Sequence, residues 1–190
     1  MKKIKISIIF FIYLLFISAY SHTMASEEAK YNIVHETDIY EIRYYEDRHV
    51  VQVFDLGQDN SFRKLFNYIS GSNDKSEKIN MTIPVTESIN KNKQVMQFYL
   101  PSKFTKDTIP TPSNSDVEIS TIKAGFYAVI KYSGRSSDKN FLKHSKILQQ
   151  ELLKDKILII GPAIKATYNG PFILPPFRRN EAMFNVDWKS

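Results

Sequence analysis

From Asp38 onward the apolar positions change period in the same order twice. Tyr40, Ile42 and Tyr44 alternate with Glu41, Arg43 and Tyr45, and residues 50–55 follow as a run rich in β-branched side chains, so two strands are predicted. The period then becomes helical: Phe62, Leu65, Phe66 and Ile69 fall at i, i+3, i+4 and i+7, with Asp59, Asn60 or Ser61 available as the N-cap. Residues 82–88 and 95–100 return to strand patterns. The succession restarts at Asp116. Val117, Ile119 and Thr121 alternate, and residues 126–132 supply a partner strand. Ser136, Ser137 or Asp138 can cap a longer helix that carries Phe141, Leu148 and Leu152 and ends near Asp155, and strands follow at 163–168 and 182–188.

Eight strands and two helices of this kind predict an α+β fold whose sheet curls into a barrel-like or open-sandwich shape, with the helices covering part of it. The repetition reads as an internal duplication, with pseudo-repeats at about 38–100 and 116–188. Asp38-Ile39-Tyr40-Glu41-Ile42 is echoed weakly by Ser115-Asp116-Val117-Glu118-Ile119. The long connections, at 90–93, 104–115 and 170–179, are where a site is expected, because loops on a rigid sheet carry function.

The N-terminus has another character. Met1-Lys2-Lys3-Ile4-Lys5 precedes an apolar run over 6–17 and small residues around Thr23-Met24-Ala25, which reads as a secretory signal peptide. The run is about a dozen residues, short of the roughly 20 that a spanning helix needs, so no stable membrane anchor is expected. Cleavage after Ala25 would leave a single domain over 26–190. With Lys2, Lys3 and Lys5 removed, 23 basic residues face 20 acidic ones and the net charge falls from +6 to +3. Nucleic-acid binding then has little compositional support. The chain has no cysteine, which excludes disulfides and a lipidated N-terminal cysteine. Lys- and Asn-rich usage with this signal type points to a bacterial periplasmic or secreted protein. Asn80-Met81-Thr82 fits the glycosylation pattern, a coincidence in that setting.

Residues 168–181, Tyr-Asn-Gly-Pro-Phe-Ile-Leu-Pro-Pro-Phe-Arg-Arg-Asn-Glu, pair a rigid apolar loop with an abrupt polar cluster. Three prolines hold the backbone, so Phe172, Ile173, Leu174 and Phe177 are displayed with little conformational entropy left to lose on binding. This is the profile of a ligand-facing loop.

Five segments, in order, resemble one family. Tyr40-Glu41-Ile42-Arg43-Tyr44-Tyr45 looks like a first strand, Met81-Thr82-Ile83-Pro84-Val85 a Met-Thr-x-Pro-Val signature, and Pro101-Ser102-Lys103-Phe104 a strand end. Ser133-Gly134-Arg135 matches a turn, and the block over 168–181 matches a Tyr-Asn-x-Pro … Arg-Arg-Asn-Glu terminus. Together they are similar to the SOUL haem-binding protein family over residues 31–188. The resemblance implies duplicated β-α-β-β halves forming a distorted eight-stranded barrel flanked by two helices, akin to gyrase-inhibitor-like effector-binding domains. It also implies non-covalent binding of haem or a related tetrapyrrole in a hydrophobic cleft between the first helix and the late proline-rich loop, for carriage or buffering, with the donor and acceptor proteins unknown. In this chain the cleft maps to Phe62 and Phe66 on the helix and to Phe172, Ile173, Leu174 and Phe177 on the loop.

A porphyrin is a flat apolar disc with two carboxylates at one edge, so its site needs apolar walls and a few cations or amides at the rim. Arg63 and Lys64, with Asn67 one turn on, are the candidate donors. Arg178 and Arg179 compete for that role with a favoured structural one, tying the loop through Glu181 or backbone carbonyls. Some family members carry a histidine where this chain has Tyr44. Tyrosine can ligate ferric haem, yet Tyr44 shares its alternation with Tyr40 and Ile42 and is favoured as core. His35, His49 and His144 are read as packed or surface residues, and Met81 and Met96 as core filling. Haem is therefore expected to be held by apolar contact and propionate pairing, with no assigned axial ligand.

The chain lacks a Gly-x-Ser-x-Gly elbow, a His-Glu-x-x-His helix and a phosphate loop. An enzyme is not expected. Two alternatives stay open: a hydrolase of small apolar electrophiles in which Glu181, beside Tyr168, acts as a base of raised pKa, and a protein- or lipid-binding module using the 172–177 loop. Glu181 is favoured as a loop-fixing ion-pair partner over a catalytic base.

Overall fold

Each stretch read as a strand from its alternation is a strand in the computed structural model, which describes residues 26–55, 60–90 and 93–189. The signal-peptide reading over 1–25 and the Asp59 cap lie outside the described residues. The strands are β1 (Glu27–Glu28), β2 (Asn32–Glu36), β3 (Glu41–Tyr45), β4 (Arg48–Asp55), β5 (Thr82–Ile83), β6 (Val85–Asn90), β7 (Lys93–Tyr99), β8 (Glu118–Ile122), β9 (Gly125–Tyr132), β10 (Leu158–Ile159), β11 (Ile164–Thr167) and β12 (Asn180–Asp187). The helices are α1 (Ser61–Ile69) and α2 (Asp138–Lys154).

One antiparallel sheet runs β2-β3-β9-β12-β11-β6-β7-β4-β8, with β10 added beside β12; β1 and β5 form a separate parallel pair. The sheet curls into a half-barrel, open between β2 and β8, and with the two helices makes the α+β fold. The expectation of eight strands is corrected to ten in this sheet, because β2 and β10 add to those the alternation revealed. Exchanging β3, β4, β6 and β7 for β8, β9, β11 and β12 returns the same order read backwards, since β3 lies against β9 and β8 against β4; β5 and β10 do not follow this exchange.

Register fixes which side chains share a face. Phe98, Val85 and Thr167 are consecutive partners across β7, β6 and β11. Thr167 pairs with Asn180, on the face that also carries Ala182, Phe184 and Val186. Leu65, Tyr68 and Ile69 of α1 bury against Val51, Val53 and Phe98. Leu148 and Leu152 of α2 bury against Tyr40, Ile42, Ala182 and Phe184. Both helices therefore cover the convex face. The concave face carries Tyr45, Tyr127, Val129, Ala166, Tyr168 and Met183, and Ala29 and Tyr31 of the N-terminal segment pack over it.

The helix ends follow local chemistry. Ser137 caps α2, accepting from the Asn140 amide, and Asp155 is its C-cap, as the sequence led one to expect. Asn60 is the N-cap of α1 but makes no side-chain capping bond. No described helix is long and apolar enough to cross a membrane.

Candidate functional site

On α1 the apolar stripe splits. Leu65 and Ile69 are buried, whereas Phe62 and Phe66 are each 49% exposed. Their rings stack at 6.1 Å and 12°, and Phe62 sets its edge on Phe98 at 5.2 Å. Arg63 and Asn67 are exposed beside them. Lys64, the other expected donor, pairs with Asp116 at 2.8 Å.

The loop between β11 and β12 displays its apolar side chains outward. Phe172 is 96% exposed, Phe177 77%, Leu174 65% and Ile173 42%. Its backbone is nonetheless tied. Pro175–Phe177 forms a 3-10 turn, the Gly134 amide donates to the Pro175 carbonyl at 2.8 Å, and Arg178 donates to the carbonyls of Ile173 (2.6 Å) and Pro171 (2.7 Å). Arg178 thus ties the loop to itself.

The register relates helix to loop. The loop leaves β11 just beyond Thr167, two strand steps from Phe98, roughly 10 Å along the convex face, and Phe98 lies under Phe62. Among the described residues no ring contact joins the Phe62–Phe66 pair to Phe172 or Phe177. Tyr44 is elsewhere: it sits on β3, five strand steps from β7, and packs against Phe126 at 5.1 Å. The structure does not bring it to the other predicted residues.

The histidines have ordinary partners. His35 packs on Trp188 (5.0 Å), His49 Nδ1 lies 3.0 Å from Thr121 Oγ1, and His144 stacks on Tyr132 (4.1 Å) with its Nδ1 2.8 Å from the Asn140 carbonyl. Met81 and Met96 pack against the α1 core. No group of three metal-ligating side chains exists among the described residues.

Sequence reasoning read Glu41 and Arg43 only as positions alternating with Tyr40, Ile42 and Tyr44 on a strand. In the structure Arg43 and Glu181 are both fully buried on the concave face. Arg43 Nη1 and Nη2 each donate to one Glu181 oxygen at 2.9 Å, a bidentate pair. Tyr168 Oη donates to Glu181 Oε2 at 2.7 Å, and Arg179 Nε and Nη2 donate to Oε1 at 3.0 and 2.8 Å. Arg43 also pairs with Glu41 and donates to Tyr45 Oη. Arg179 holds both oxygens of Glu28. Burial pushes the Glu181 carboxyl up, but hydrogen bonds and charge from Arg43, then Tyr168 and Arg179, outweigh it and hold the group below the usual carboxylate value. A base of raised pKa was the alternative expected at Glu181; its ion pairs give the opposite direction. The signal for this network was present as Glu-x-Arg-x-Tyr on one face of β3, but alternation alone cannot say that the N-terminal segment covers that face.

A family model described as SOUL heme-binding protein matches residues 26–185. Heme-binding protein 2 of Mus musculus is 29% identical over 170 residues, covering 80% of each chain. The EcmrR C-terminal domain superposes with a TM-score of 0.60 at 14% identity, covering 83% of this chain and 98% of that one. A hydrolase from Listeria innocua superposes with a TM-score of 0.57 at 9% identity, covering 78% and 92%. At such identities these two likenesses carry the fold alone.

Proposed function

The chain belongs to the SOUL heme-binding family, and on that premise we propose that it binds haem or a related tetrapyrrole non-covalently on its convex face, between α1 and the 170–179 loop. The observation that carries this reading is the set of large apolar side chains left exposed there on a tied backbone: Phe62, Phe66, Phe172, Leu174 and Phe177. Monomeric proteins rarely leave such side chains together without a partner.

The residues fit the group in two respects. Stacked phenyl rings match a flat apolar macrocycle, and Arg63 with Asn67 supplies a cation and an amide for propionates. They offer no imidazole, and Tyr44 lies apart, so the protein supplies apolar contact and charge pairing in place of a fixed axial ligand. When bound, haem would bring its own iron chemistry; this arrangement favours reversible carriage or buffering, and the family is generally non-catalytic. The palindromic strand order supports duplicated halves, and the basic-then-apolar start supports export to the periplasm or medium.

The ion pairs of Glu181 argue against the hydrolase reading. The test is a haemin titration followed by Soret absorbance, comparing the protein with a Phe66→Ala/Phe172→Ala variant. Saturation at one equivalent, lost or weakened at least tenfold in the variant, is expected. Saturation indifferent to these changes, or none, would move the exposed patch to a protein or lipid partner.

A further inference from the structure

Helix α2 has one side that the core does not use. Leu148 and Leu152 point inward, with Phe141 and Ile147 partly buried beside them. Successive residues turn about 100° round a helix, so Lys139, Leu142, Lys143, Lys146 and Leu153 fall together on the opposite side. All of these are exposed, Leu142 to 61% and Leu153 to 78%. The acids of the stretch are engaged elsewhere: Asp138 pairs with Lys165, Glu151 with Lys154, and Asp155 accepts from the Tyr40 hydroxyl. Lys64, Lys103 and Lys123 each have a carboxylate partner. Lys139, Lys143 and Lys146 make no ion pair among the described residues.

This arrangement is unfavourable in the protein alone. Lys139 and Lys143 are neighbours at i, i+4 and Lys143 and Lys146 at i, i+3, so like charges stack along the helix. Lys139 also lies in the first turn, where the helix dipole disfavours a cation. Leu142 and Leu153, about 16 Å apart along the axis, stand in water on either side of Lys143 and Lys146. A bilayer with anionic headgroups relieves all three costs. Lysine ammonium groups meet the phosphates on flexible stems, while leucine side chains enter the acyl boundary below. Size argues against a protein partner. The outward side of a 17-residue helix is about 25 Å long and about 10 Å wide. That is roughly a third of the roughly 800 Å² that each partner contributes to a stable protein interface. A nucleic acid would engage the lysines and leave the leucines in water.

We propose that the outward side of α2 docks reversibly on anionic phospholipid bilayers, with Lys139, Lys143 and Lys146 at the headgroups and Leu142 and Leu153 just beneath them. The contact is peripheral. It uses none of the residues assigned to haem and stands whether or not the haem reading does.

Co-sedimentation with vesicles tests it. The protein from Ser26 onward holds every element of the fold and omits the apolar run over 6–17. In about 0.1 M salt it should bind vesicles of phosphatidylglycerol mixed with phosphatidylcholine about thirtyfold or more tightly than phosphatidylcholine alone, and about 0.5 M salt should shrink the difference. Each lysine near such a surface is worth about fivefold in affinity, so Lys139→Gln/Lys143→Gln/Lys146→Gln should lose about thirtyfold or more. The matching arginine triple keeps the charge and should bind as the parent does. Leu142→Ser/Leu153→Ser should weaken binding about tenfold at either salt concentration, since it removes the apolar part. All three variants should melt within about two degrees of the parent and respond to haemin as it does. Phe66→Ala/Phe172→Ala should bind vesicles as the parent does. Equal binding to both vesicle types, binding retained by the glutamine triple, or binding lost in Phe66→Ala/Phe172→Ala would overturn the proposal. So would capture by a DNA duplex without vesicle binding.

Discussion

At the scale of single residues, the buried Arg43–Glu181 pair dominates the concave face. A fully buried ion pair adds little net stability when intact, yet breaking it strands a charge. Arg43→Met therefore leaves Glu181 without its bidentate partner and is expected to lower unfolding stability by about 3–5 kcal/mol in urea melts. Arg43→Met/Glu181→Met should recover part of that loss. The same pair sets an acid limit. The folded Glu181 value is below its ordinary 4.5, so its contribution is present above pH 4.5 and is lost as pH falls through the folded value. Stability measured from pH 6 down to pH 2 should decline below about pH 4.5, and the double variant should lack that part of the decline. These residues were visible in the sequence as polar positions of a strand; their burial was not, because the covering segment is remote in the chain.

At the scale of elements, the helices were legible and their facing was not. Periodicity found α1, but it assigned Phe62 and Phe66 to the same stripe as Leu65 and Ile69. The structure turns the helix so that Ser61, Leu65, Tyr68 and Ile69 go inward and the two phenylalanines stay half out. The reason is that the buried Tyr68, whose hydroxyl reaches the Pro110 carbonyl at 2.8 Å, widens the inward face on one side. On α2 the apolar reading holds more closely. Leu152 is fully buried against the sheet, and Leu152→Ala should cost about 2–5 kcal/mol in chemical denaturation, without changing the Soret response to haemin. The loop read within 168–181 is present up to the start of β12 at Asn180, tied by Arg178 to the carbonyls of Ile173 and Pro171.

At the scale of the whole molecule, the two faces of one curled sheet are built differently. The convex face carries the helices and the exposed phenylalanines, so the Phe66→Ala/Phe172→Ala variant should melt within a degree or two of the parent while losing haemin affinity, as surface changes usually shift stability by about 0.5 kcal/mol or less. The sequence by itself determined the family, the eight principal strands, both helices and the apolar loop, since these depend on period, caps and prolines within a few tens of residues. Only the tertiary structure decided that the sheet stays open with ten strands, that Tyr44 stands apart from the predicted site, and that Arg43 and Glu181 lie inside. Strand alternation records that two faces differ; which face is covered depends on curvature and on a segment packed across it, and these are properties of contacts between residues distant in the chain.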